Sequence, residues 1–149
     1  MLTLVMISLL ALDDICLIKF TTMFKTALIS DLHRTNSEWL NLINFYRDEI
    51  RVMEKRMGEI SSKNTGAEVL SSLEHFQNQV IIQKAHLDDM QGDIVQLESI
   101  ITDEIKKNQT AADHRRHAIP EKLNQDMEQF RKLFYELRKD FMEYMIKVM

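Results

Sequence analysis

Chain breakers are nearly absent from this sequence: 149 residues hold three glycines and one proline. A β-rich domain of that length needs many tight turns, and tight turns draw on Gly and Pro. Their scarcity argues against a sandwich or barrel and for a few long helices. Cysteine is scarcer still. Cys16 stands alone, so no disulfide can close within the chain and no cysteine-based zinc site can form; a reducing, cytoplasmic setting is the expectation. Positive charge is not in excess either, the formal net charge being −4. Phosphate neutralisation dominates nucleic-acid affinity and demands a basic stripe, so no nucleic-acid partner is expected. Serine-nucleophile, phosphate-loop and dinucleotide patterns are missing, the glycines being isolated. No cofactor is implied, and the chain reads as non-enzymatic.

Long apolar runs are also lacking. The nearest is residues 2–12, closed by Asp13 and Asp14, about half of the ~20 residues that a membrane-spanning helix needs. Asp13 and Asp14 stand where a signal peptide would carry small cleavage-site residues, and no basic region precedes the run. Residues 1–28 are set apart as an apolar N-terminal segment with three readings: a membrane anchor through residues 1–12, a backward extension of the first helix, or a leader upstream of a true start at Met23. A membrane partner is the least favoured of these. Retention of Met1 in the natural protein's intact mass would reject the third.

Hydrophobic residues are abundant, at 45% against 28% charged, enough for a core. They fall into three stripes. The first runs Ile29, Leu32, Asn36, Trp39, Ile43, Tyr46, Ile50, Met53, Met57, Ile60; the second Val69, Leu73, Phe76, Val80, Gln83, Leu87, Met90, Ile94, Leu97, Ile101, Glu104; the third Leu123, Met127, Phe130, Phe134, Leu137, Phe141, Tyr144, Val148. Alternating steps of three and four keep each stripe on one helix face at the coiled-coil period. Ser30 or Asp31 is expected to cap the first helix. The run Lys63, Asn64, Thr65, Gly66 should end it through a left-handed residue, and Pro120 precedes the third helix, where a proline loses no hydrogen bond. The predicted fold is all-α, an elongated antiparallel three-helix coiled-coil bundle over 29–149, with helices at about 31–62, 67–109 and 120–149. With Trp39 in the first helix, this pattern resembles a spectrin repeat, although the helix lengths are unequal.

At 1.5 Å per residue the three helices would measure ~48, ~64 and ~45 Å. Short connectors place neighbours antiparallel, so the third helix is expected to cover the second from residue 109 back to about 80. The far end of the second helix, with Ile100, Ile101 and Ile105, then wants further cover, from a backward extension of the first helix or from a second copy. Homodimerisation or capture of a partner helix follows as the expected partnership. Apolar residues beside the stripes, among them Phe45, Leu133 and Met145, point the same way. In this register Asn36 and Gln83 do not meet, and each needs water, backbone or a second subunit.

Metal chemistry has little to build on. A di-iron bundle needs Glu-x-x-His pairs, and none occurs. His33, His75 and His86 sit beside the stripes and read as surface residues; Asp88, Asp89, Asp93 and Glu98 read as a solvated acidic face. The densest polar cluster is Asp113, His114, Arg115, Arg116, His117. Its imidazoles and Asp113 are weak candidates for a divalent ion, and its arginines for phosphate. The plainer reading is a solvated connector with cations at a helix C-terminus.

Overall fold

The computed structural model describes residues 26–108, 110, 111, 117, 118 and 120–148. Three helices dominate it: α1 (Ile29–Lys63), α2 (Ala67–Lys107) and α3 (Glu121–Val148). Two short strands, β1 (Thr26–Ala27) and β2 (His117–Ala118), pair antiparallel ahead of α1 and α3, with Thr26 opposite Ala118 and Ala27 opposite His117.

Each heptad stripe is the buried face of its helix. Every buried residue among those described belongs to one of the three stripes. The main core joins all three helices from Trp39 to Ile60, Leu73 to Ile94 and Leu123 to Phe141. A smaller cluster of Ile29, Leu32 and Ile101, with Leu97 and Ile105 packed against it, closes the far end of α2.

The helix ends differ from the sequence expectation. Neither Ser30 nor Asp31 caps α1; the helix starts two residues earlier than expected, at Ile29, with Leu28 extended and its carbonyl accepting from Leu32 N–H at 3.1 Å. With Leu28 at the helix boundary, Ser30 and Asp31 lie inside the first turn and no longer occupy the capping position. At the other end no residue turns left-handed. Instead the Asn64 side-chain amide and backbone N–H both donate to the Ile60 carbonyl, each at 3.0 Å. α1 does not run backwards beyond Ile29, because Thr26 and Ala27 are strand.

The helix register is the larger correction. Asn36 reaches Glu98, Arg47 pairs with Asp88 and Lys84 with Glu54, so α1 covers α2 about one turn farther along than even connectors imply. On α3, Lys122 lies 3.8 Å from Asp93 and the Tyr144 hydroxyl donates to the Val69 carbonyl at 3.1 Å. α3 therefore lies against residues 69–93 of α2 and not against 80–109. α3 thus begins level with about residue 93 of α2, short of the end of α2 at Lys107. α1 and α3 both run opposite to α2 and so are parallel to each other.

Candidate functional site

Two consequences of this register decide where a site can lie. The first concerns the far end of α2. Ile101 is buried under Ile29 and Leu32, and Ile105 is half-buried beside it. The cover expected from elsewhere is supplied by the first turn of α1, and only Ile100 of the three is exposed. Met145 likewise packs against the main core from within the chain.

Asn36 does not wait for water or a second subunit. It is fully buried, and its amide donates to Glu98 Oε1 at 2.7 Å, while His33 Nδ1 sits 2.7 Å from Glu98 Oε2. Glu98 is thus a bridging group at the α1–α2 seam, not part of a solvated face. Asn36 Oδ1 and Gln83 Oε1 are buried without a hydrogen-bond partner among the described residues, and nothing nearby makes either a ligand.

The second consequence is the groove between α1 and α3. Each of these helices packs on α2, and they meet each other through Tyr46, whose ring stands edge-on to Phe130 and Phe134 at 5.0 Å from each. Outside that contact lies a cleft of about 540 Å³ lined by Phe45, Tyr46 and Glu49 from α1 and by residues of α3 from Glu128 to Arg138. No α2 residue lines it, so it opens on the face away from α2. Its floor is aromatic. Phe45 and Tyr135 stand at its edges, 52% and 69% exposed, where isolated stripes would have left only polar flanks. Farther down α3 the apolar surface continues through Met142 and Ile146 beside Tyr135.

Charges rim the groove. Arg138 Nε bridges to Glu49 Oε2 across it at 3.1 Å. Arg131 and Lys132 have no ion-pair partner among the described residues, and both project from the α3 wall. The lining thus sets two carboxylates, Glu49 and Glu128, and three cations, Arg131, Lys132 and Arg138, around an aromatic floor.

A second cleft, between α2 and α3, is lined by His86, Asp89, Asp93, Lys122 and Asp126. Lys122 lies 3.8 Å from Asp93 and 3.9 Å from Asp126, one cation among the three carboxylates that line this cleft. Among the described residues no group of three His, Cys, Asp or Glu side chains could hold a metal. Asp113 and His114 lie outside the described residues; His117 is placed only as backbone in β2. The membrane reading of residues 1–12 also falls outside them, and among the described residues no helix is long and apolar enough to cross a membrane.

The sequence flagged Phe45 as a flanking residue but did not single out Tyr135, Arg131 or Lys132. The available signal was an aromatic one step off the third stripe, at Tyr135 beside Phe134. Comparison with protein-family models, curated proteins and solved structures returned no match.

Proposed function

We propose that this chain is a non-enzymatic interaction protein whose α1–α3 groove holds one helix. The observation that carries the reading is the exposed pair Phe45 and Tyr135 flanking an aromatic floor between two parallel helices. Large apolar groups gathered in one cleft mark a contact surface more than scattered ones do. The geometry suits an antiparallel helix: α1 and α3 point one way, α2 the other, and a fourth helix in the groove completes an up-down-up-down bundle. Helix-in-groove recognition uses anchors at i, i+3, i+4 and i+7, the spacing of the chain's own stripes.

The test is occupancy of the groove. Light scattering on the purified chain at several concentrations gives the oligomeric state, and tyrosine labelling gives the accessibility of Tyr135. Protection of Tyr135 in the native chain, lost in a Phe45→Ser variant of unchanged helicity, supports the reading. A Tyr135 labelled as fast in the native chain as in urea overturns it. A dimer that survives Phe45→Ser and Tyr135→Lys unchanged would place self-association elsewhere and also overturn it.

A further inference from the structure

We propose that the helix entering the α1–α3 groove is α2 of a second copy, laid in by its outward face, so that copies of this chain stack head to tail. The proposal rests on the groove reading above and names the groove's occupant.

α2 has an outer face that neither α1 nor α3 covers. Its buried stripe runs from Leu73 to Ile94. The row opposite that stripe, at seven-residue spacing, is Asn78, Ala85, Gly92 and Ser99, all exposed and none larger than Asn. Large apolar side chains flank the row: Ile81 is 62% exposed, Ile82 45% and Val95 56%. One heptad after the isoleucine pair comes an acidic pair, Asp88 and Asp89, also exposed. Asp88 pairs with Arg47, while Asp89 has no ion-pair partner among the described residues. A row without bulk lets this helix sink between two walls, its flanking side chains reaching one wall each.

The groove carries the matching pattern at the same period. On α3 the cation pairs Arg131–Lys132 and Arg138–Lys139 are seven residues apart, as are Tyr135 and Met142. On α1, Val52 follows Phe45 by seven, and both are more than half exposed. An incoming α2 set antiparallel to α3, with Ala85 level with Tyr135, brings Asp88 level with Lys132 and Asp89 level with Arg131. These are the two rim cations without an ion-pair partner among the described residues. In the same register Ile81 and Ile82 fall between Tyr135 and Met142. One alignment thus meets charge with charge and apolar surface with apolar surface.

The placement of the two faces sets the form of the assembly. The groove opens away from α2, so the donor face and the acceptor groove lie on opposite sides of the chain. Two copies cannot fill each other's grooves at once. An α2 lying antiparallel to α1 and α3 runs parallel to the acceptor's own α2, so successive copies point the same way. Such a contact repeats, giving an open stack or a ring and not a closed pair.

Light scattering on the native chain should show a mass that rises past the dimer with concentration and falls with added salt. Asp88→Lys with Asp89→Lys, and separately Arg131→Glu with Lys132→Glu, should each be monomeric at native helicity, and mixing the two variants should restore association. Asn78→Cys and Met142→Cys, each made in a Cys16→Ser background, should give a disulfide-linked pair on oxidation when mixed and none when alone. A link formed by Met142→Cys alone sets groove against groove and overturns the inference while leaving the groove reading standing. Charge-reversal variants that associate alone as well as the native chain also overturn the inference. So does a native chain that stays monomeric with Tyr135 protected from labelling. A monomer whose Tyr135 labels as fast as in urea overturns both.

Discussion

Asn36 and Glu98, 62 residues apart in sequence, are joined by a 2.7 Å hydrogen bond across the α1–α2 seam. Asn36 is fully buried, and a polar group on a heptad stripe penalises every alignment that leaves it without a partner. A slip of one heptad would set Ile105 or Gln91 opposite Asn36 in place of Glu98, and either loses the charged acceptor. The bond therefore ties the register to one pair of residues.

Removing Glu98 alone should show this. Glu98→Ala leaves the Asn36 amide buried and unpaired, with an expected loss of about 1–3 kcal/mol in urea unfolding. Asn36→Leu in the Glu98→Ala background should restore most of that loss. A double-mutant cycle whose two changes simply add would show that the pair is not coupled.

Core and groove should separate cleanly by stability. Phe141 is 1% exposed and packs edge-on against Phe76, so Phe141→Ala is expected to cost about 3–5 kcal/mol. Leu87→Ala, at a fully buried α2 position, should cost about 2–5 kcal/mol. Chemical denaturation with matched slopes is the measurement, and a loss below 1 kcal/mol at either site would contradict the packing.

Gly92 offers a gain. It lies inside α2, exposed, and a Cβ there meets no atom within 4 Å. The helix passes through it without a break. Gly92→Ala should stabilise by about 0.5–1 kcal/mol, the entropy a helical glycine loses, visible as a higher midpoint of thermal unfolding.

Tyr144 predicts an alkaline limb. Burial, and secondarily the negative charge of Glu68, raise its pKa above the ordinary 10.0. For a group whose folded pKa is raised, the stabilising contribution is complete below the unfolded value and is lost as pH rises through the folded one. Stability should thus fall above about pH 10, and Tyr144→Phe should flatten that fall. The same variant also loses the hydroxyl's bond to the Val69 carbonyl, so its effect at neutral pH should be a loss of about 0.5–1.5 kcal/mol. Equal alkaline slopes in the two proteins would remove Tyr144 as the cause.

The heptads made the helices and their inner faces legible, because burial follows a 3.5-residue period that can be read from residue type alone. Trp39, Phe76 and Phe130 were placed in the core from spacing only. The offset between helices was not legible. A stripe specifies a face and leaves sliding along the axis undetermined, and the connector lengths that might have set it were misleading: α3 begins level with about residue 93 of α2, well short of the end of α2 at Lys107. That error placed Ile101 at an uncovered end and left Asn36 without Glu98. It also hid the groove, because Tyr135 and Phe45 face each other only once α3 is drawn back along α2.

The odd number of helices has an electrostatic corollary. Each long helix carries roughly half a positive elementary charge at its N-terminus and half a negative one at its C-terminus. α1 and α3 begin at the end where α2 finishes, so one pair of these partial charges is left uncancelled and the bundle has a polarity of its own. A helix entering the groove antiparallel to α1 and α3 would neutralise it, whereas one entering the other way round would double it. The bundle's own backbone therefore favours one orientation of the incoming helix before any side chain is read, and the preference should weaken as salt is added.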